Sequence, residues 1–403
     1  MPQTFAYKVR DRSGNLISGT LVADNEMLVL QRLREQGYTP LEVGKEKKGL
    51  ALEINITKKK VKLKEVAIFS RQFATMINSG LPILRALAIL AEQTSNKSLA
   101  EALVASRNDV EQGASLSQAL AKHPKIFNDL YISMVKSGET GGSLDDTLLR
   151  LSAMLEREVH LRGKIKSAMT YPVAVVGLVS LIMAAMLLFV VPQFQTIYGQ
   201  LGGTLPLPTR MLLMVSNVFK NWWYIVVLLL IAARFALKRY KKTEHGREVV
   251  DAIKLRIPVF GNLFLKTALS RFASTLAMLM SSGVPILQAL DIVIDTVNNR
   301  VMGKAVEEVQ DSVRQGDSIA KPLSKSPVFP PMVVQMIAVG EETGQVDTML
   351  EKVAQFYDQE VEATVDSLTS LIEPILIAFI GGCVGAAVIA LYMPMFQVIN
   401  LIK

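Results

Sequence analysis

Two stretches of this 403-residue chain hold no charged residue, 167–209 and 374–402. Inside them, residues 173–191 and 375–391 are almost wholly apolar. A bilayer core takes about 20 apolar residues of helix, so both stretches are predicted to cross a membrane. Composition agrees: 50% of residues are hydrophobic and 20% charged, against roughly 25% charged in soluble chains. A third run, WWYIVVLLLIAARFAL at 222–237, is shorter because Arg234 lies near one end. Arg234 can extend to the headgroups, and Trp222, Trp223 and Tyr224 suit the opposite interface. This run is therefore the second of three predicted spans. The opening MPQTFAYKVRDRSG lacks the apolar core of a cleaved leader, so none is expected.

Lys and Arg flanks set the expected orientation. Arg157, Arg162, Lys164 and Lys166 precede the first span, and Lys238, Arg239, Lys241, Lys242 and Arg247 follow the second. Between those spans stand only Arg210 and Lys220, and after the third only Lys403. The N-terminus and the region after the second span are predicted to be cytoplasmic. Residues 193–221 and the C-terminus are then external.

The two large cytoplasmic masses are one sequence written twice. Residues 69–90 (FSRQFATMINSGLPILRALAIL) align with 272–293 (FASTLAMLMSSGVPILQALDIV). Gly80 and Pro82 face Gly283 and Pro285; Gly138-Glu139 faces Gly340-Glu341; Asp145 faces Asp347. The match runs into the membrane, where Pro172 faces Pro374 and Pro192 faces Pro394. Each copy is thus a cytoplasmic domain followed by an outgoing span, and the middle span returns the chain for the second copy. Leu81, Leu84, Leu87 and Ala91 keep a helical period. Gly80 then Pro82 reads as helix stop and restart, and Ser115 with Gln118 as a capping box. Gly138 is predicted to end a helix and Ser143 to cap the next. Each copy is predicted to be an antiparallel helix bundle.

The expected fold is mainly α: a small α+β module (1–44), a basic linker (45–64), helix bundle 1 (65–169), a first span (170–192), an external loop (193–221), a second span (222–240), helix bundle 2 (241–373), a third span (374–396) and an external tail (397–403). In the module, 5–10 and 16–22 flank a Ser13-Gly14-Asn15 turn, a hairpin signal. Residues 24–36 suit a helix and 38–43 a third strand. The membrane-boundary residues are Pro172, Pro192, Trp222, Trp223, Arg234, Pro374 and Pro394. The lysine-rich linker suits either a solvated tether or contact with anionic lipid or an acidic partner.

Common catalytic signatures are missing. The chain has no Gly-x-x-x-x-Gly-Lys-[Ser/Thr] loop, no H-E-x-x-H helix, no Gly-x-Ser-x-Gly elbow, and one cysteine, Cys383. No Asp, Glu, Lys or His interrupts the apolar part of a span, which disfavours an ion pathway or a small-solute transporter. Basic residues without interleaved aromatics disfavour nucleic acid. The acidic residues Glu139, Asp145, Asp146, Glu341, Glu342 and Asp347 either hold a divalent cation or cap helix N-termini, or form an unfamiliar enzyme site; the sequence leaves these open. No cofactor or catalytic residue is assigned.

Several long motifs in order carry a resemblance over essentially the whole chain: FAYKVRDRSGN and LREQGYTPLEV near the start, the paired SGLPILRAL and SGVPILQAL, the paired SGETGG and VGEETG, LPLPTR before the second span and IPVFGNL after it. They resemble the platform proteins of type IV pilus and type II secretion machines, PilC and GspF. The resemblance implies a homo-oligomer in the bacterial inner membrane and no catalysis. It implies a hexameric cytoplasmic assembly ATPase docked below, pilin or pseudopilin subunits taken up from the bilayer, and other inner-membrane assembly proteins as neighbours. On that topology, Glu139, Asp145, Glu341 and Asp347 are expected on ATPase-facing loops. The basic linker favours the pilus version over the secretion version.

Overall fold

The computed structural model describes residues 3–10, 16–35, 37–45, 60–193, 196 and 207–401. The chain divides into two compact units, Met1–Lys59 and Lys60–Lys403.

In the first unit, β1 (Gln3–Arg10) lies between β2 (Leu16–Ala23) and β3 (Thr39–Lys45), antiparallel to both. Alternation along β1 puts Phe5 and Val9 on one buried face. Helix α1 (Glu26–Glu35) covers that face with Val29 and Leu33, one turn apart. Pro40, which has no N–H to give, sits on the edge strand opposite Val9, where the register shifts. The expected Ser13-Gly14-Asn15 turn and most of the linker lie outside the described residues.

The second unit repeats one helical pattern. Copy 1 runs α2 (Leu63–Asn78), α3 (Ile83–Gln93), α4 (Lys97–Glu111), α5 (Leu116–Ala121), α6 (Asp129–Gly141) and α7 (Leu144–Ala185). A π-turn, Met186–Val190, interrupts this outgoing helix, which runs on to Gln193. The return path is α8 (Leu207–Asn221), α9 (Trp223–Tyr240) and α10 (Glu244–Arg256). Copy 2 runs α11 (Phe260–Ser281), α12 (Ile286–Thr296), α13 (Arg300–Arg314), α14 (Ala320–Leu323), α15 (Pro331–Thr343) and α16 (Val346–Leu401). Buried apolar residues of both copies, Phe73, Leu87 and Phe127 with Phe272, Leu290 and Phe329 among them, form one continuous core.

Four local expectations change. The boundary between bundle and span is absent, because α7 and α16 run unbroken from helix bundle into apolar stretch. At 1.5 Å per residue they are about 63 and 84 Å long. Pro172 and Pro374 lie inside these helices; each removes one backbone donor but does not stop the helix. Gly138 and Gly340 do not end helices either. The ends fall at Gly142 and Gly344, in the left-handed region at φ 68° and 71°, where a side chain would be strained. Ser143 stands at the N-cap position of α7 but makes no side-chain capping bond. The capping box at Ser115 holds on one side, with Gln118 N–H donating to Ser115 Oγ. Finally, the predicted external loop 193–221 contains a helix, α8, because Leu212 and Leu213 have an apolar wall to pack on. The other expected stops hold: Gly80 and Gly283 have positive φ and precede Pro82 and Pro285, which stand immediately before α3 and α12.

Candidate functional site

The structure joins the two copies along a seam between α7 and α16. Leu161, Ile165 and Ala168 pack against Val361, Val365 and Leu368, with Leu263 of α11 completing the cluster. A ladder of charges runs beside it. Arg157 reaches Asp358 at 3.5 Å, His160 reaches Glu362 at 3.6 Å, and Lys164 reaches Glu362 at 3.0 Å and Asp366 at 3.3 Å. Glu158 accepts from Arg162 at 2.6 Å on its own helix and from Arg271 of the other copy at 3.2 Å. His160 with Glu362, and Lys164 with Asp366, stand at the offset that relates Pro172 to Pro374. Equivalent positions of the repeat therefore meet each other, as residues do across a two-fold axis.

Burial tunes several of these groups. Asp358 is pushed up from the ordinary aspartate range by burial, against the Ser270 hydroxyl and Arg157, which pull it down. Burial lowers the Arg271 guanidinium, and Glu158 opposes that. The Lys164 ammonium is raised by its bond to Glu362. An open cavity of about 370 Å³ lies just outside the seam, between Arg150 and Arg157 of copy 1 and Asp347 and Glu351 of copy 2.

Of the expected loop residues, Glu139 and Glu341 are already engaged. Glu139 accepts from the backbone N–H groups of Leu116 and Ser117, the latter at 3.0 Å, so it caps α5. Glu341 accepts from Ile319 and Ala320, the latter at 3.1 Å, and caps α14 in the same way. The negative end meets the helix N-terminus, where the unpaired donors lie. The neighbouring Gly138 and Gly340 let α6 and α15 pass close to the start of the helix that follows each. A Cβ on Gly138 would lie 2.9 Å from Thr147 Cβ and 3.1 Å from Leu144 Cα, and one on Gly340 would lie 2.8 Å from Val346 Cα. Asp145 is exposed, whereas Asp347 lines the cavity between copies. Among the described residues no group of three or more His, Cys, Asp or Glu is placed to hold a metal.

Three helices are long and apolar enough to cross a membrane: Leu144–Gln193, Phe260–Ser281 and Val346–Met393. The set differs from the expected one, with Phe260–Ser281 in place of 222–240. Its most apolar window is 56% buried inside the protein, against 6% and 17% for the other two. Phe272, Ala273 and Leu276 of this helix are the centre of bundle 2. By contrast α9 exposes Leu228, Leu229, Leu230 and Ile231 by 60–65% each, and Trp222 before it by 57%. Arg234, Lys238 and Arg239 interrupt its apolar run. At the far ends of the outgoing helices, Thr209 Oγ1 donates to Ala390 O at 2.6 Å and Ser216 Oγ to Leu187 O at 2.6 Å. Helix α8 thereby ties the two copies together a second time. Pro192 stands just past the π-turn, and Pro394 lies within α16.

Two helical repeats, each feeding an outgoing apolar helix, meet along a pseudo-two-fold seam, and a small α+β unit precedes them in the sequence. The family described as "Type II secretion system (T2SS), protein F" matches residues 69–192 and 272–394, and its N-terminal domain matches residues 1–46. The chain belongs to the type II secretion system protein F family. Both repeats and the α+β unit are thus family features. The chain is 47% identical to a type IV pilus assembly protein PilC of Thermus thermophilus, over 98% of each chain. It is 41% identical to a PilC of Myxococcus xanthus, over 99% of this chain and 96% of that one. A type II secretion system protein F of Xanthomonas campestris is 33% identical over 99% of each. As a family member the protein is membrane-integral.

The seam charges were not singled out from sequence. One signal was available: the aligned segments 157–166 and 359–368 differ in charge, basic at Arg157, Arg162, Lys164 and Lys166 in copy 1 and acidic at Glu360, Glu362 and Asp366 in copy 2. Opposite charge at equivalent places is what a face between two copies needs.

Proposed function

We propose that the protein is an inner-membrane platform of type IV pilus assembly, which carries the motion of a cytoplasmic assembly ATPase to pilin entering the growing filament. The carrying observation is mechanical. The helices that leave the two bundles are unbroken through Pro172 and Pro374 and are joined at the seam, so a push on the bundles reaches the membrane without a loop to absorb it. The PilC names of the relatives at 47% and 41% identity support the pilus assignment. The role is structural, without catalysis.

In this reading α9 is the second crossing, since its apolar side chains have nowhere else to go, and Phe260–Ser281 stays in the bundle. The N-terminus is cytoplasmic and the C-terminus external, following the Lys and Arg flanks. The loops at Gly142 and Gly344 face the ATPase, with Asp145 exposed to it, while Glu139 and Glu341 serve as caps that hold those loops in shape. Copies of the chain assemble as a homo-oligomer, alongside other inner-membrane assembly proteins.

A type II secretion platform is the second reading, favoured by the Xanthomonas campestris relative at 33% identity. A clean deletion strain separates the two by electron microscopy of surface filaments and assay of secreted proteins in one culture. Loss of filaments with secretion intact supports the pilus reading. Loss of secretion with filaments intact overturns it in favour of the other. No change in either overturns both.

A further inference from the structure

A cleft of about 440 Å³, lined by four cations and three carboxylates, opens where the chain leaves α9 and enters copy 2. The turn there is tightly fixed. Thr243 Oγ1 donates to Tyr240 O and accepts from Gly246 N–H, and a Cβ on Gly246 would lie 2.0 Å from Tyr240 O. This closure holds Lys241 and Lys242 beside Arg247 on the next helix. Thr243 and Asn299 cap α10 and α13, and both line the cleft. The N-terminal donors of α13 are answered within the protein, Arg300 N–H by Asp251 and Val301 and Met302 N–H by Asn299, so the cations and not the helix ends would hold an anion there.

We propose that this cleft binds the headgroup phosphate of an anionic phospholipid on the cytoplasmic leaflet. The charge count decides between a lipid and a phosphate from solution. Arg300 is bonded to Glu307 and Lys304 to Glu248, and Glu244 and Asp295 also line the cleft. Without Lys241, Lys242 and Arg247 the lining sets Arg300 against Glu244, Asp295 and Glu307, a net charge of −2, and with those three the net is +1. The surplus is Lys241, Lys242 and Arg247, which carry no ion pair among the described residues, with Lys238 and Arg239 one turn earlier on α9. That surplus lies on the membrane side, next to the apolar run of α9. A ligand that is anchored in the bilayer meets all five cations, and a free phosphate meets few of them. Among the described residues copy 1 shows no counterpart: the element before α2 is β3, where copy 2 has α9 and α10. The site rests on the reading of α9 as the second crossing.

The test uses the full-length protein in neutral detergent, with native mass spectrometry of retained phosphatidylglycerol against phosphatidylcholine. The triple variant Lys241→Gln/Lys242→Gln/Arg247→Gln is compared with Lys136→Gln/Lys325→Gln/Lys352→Gln, three exposed lysines outside the cleft. Each basic residue at a membrane surface contributes about fivefold to anionic lipid affinity, so the cleft triple is expected to weaken phosphatidylglycerol binding on the order of a hundredfold. The control triple is expected to leave it unchanged, with both variants melting as the parent does. Equal losses in the two triples overturn the proposal. So does displacement of the lipid by millimolar inorganic phosphate, or a cleft triple that keeps its lipid but loses a crosslink to an acidic protein. Labelling of single cysteines at positions 203 and 242 in whole cells, in a Cys383→Ser background, tests the crossing separately. An exposed residue 242 refutes the topology; a protected one with unchanged lipid binding refutes the lipid site alone.

Discussion

Lys164 Nζ, on the helix leaving the first bundle, lies 3.0 Å from Glu362 Oε2 on the helix leaving the second. It also reaches Asp366 at 3.3 Å, so one cation of copy 1 answers two carboxylates of copy 2. Reversal by Lys164→Glu gathers three carboxylates at the seam. The expected result is a lower melting temperature in detergent, partly restored by adding Glu362→Lys. If the double variant is no more stable than the single one, the ladder is not an interaction between these partners.

The glycines inside α6 and α15 permit a close crossing. Gly138→Ala forces a methyl against Thr147 and Leu144, and Gly340→Ala forces one against Val346. Each is expected to cost about 1–3 kcal/mol by overpacking. Thermal unfolding of the purified variants checks this, and a melting temperature equal to the parent's would show that the crossing relaxes freely.

Glu139 and Glu341 distinguish a cap from a docking residue. If they cap α5 and α14, alanine at either costs ~1–2 kcal/mol of stability. Glutamine, which keeps an acceptor, costs less. If they instead meet the ATPase, either substitution lowers ATPase recruitment while the melting temperature stays put. The bonds to Leu116, Ser117, Ile319 and Ala320 favour the first outcome.

Asp358 gives a pH dependence with a definite sign. Burial raises its pKa in the folded protein above the unfolded value of about 4. Its contribution to stability is therefore full below that value and is lost as pH rises through the raised pKa. Asp358→Asn is expected to flatten the stability profile across this window and to be no less stable than the parent at neutral pH. A variant that is destabilised more at pH 7.5 than at pH 4.5 would show that Arg157 outweighs burial.

The repeat, the helical bundles and the outgoing apolar helices were legible in sequence because each rests on a local pattern: paired motifs, a 3.6 period, a charge-free run. Helix ends were less legible. Gly138 and Gly142 lie in one glycine-rich stretch, and only the packing of Thr147 shows that the first is there for space and the second for its left-handed φ. Pro172 and Pro374 looked like boundaries, yet one missing donor is too small a loss to break helices held by a seam. Helix α9 was legible from its apolar run at 222–237, while its crossing of the membrane is a proposal; α11, long and apolar enough to span, has its most apolar window 56% buried. The caps at Glu139 and Glu341 were open alternatives, since their partners lie 21 to 23 residues earlier in the chain.

The central claim is that the two outgoing helices move as one body. Cysteines at positions 164 and 362, in a Cys383→Ser background, can be joined in living cells by a short bismaleimide, and surface filaments then counted by electron microscopy. The account predicts filament numbers unchanged by crosslinking. Loss of filaments on crosslinking, with each single-cysteine control unaffected by the reagent, would contradict it and show that the copies must slide past each other to work.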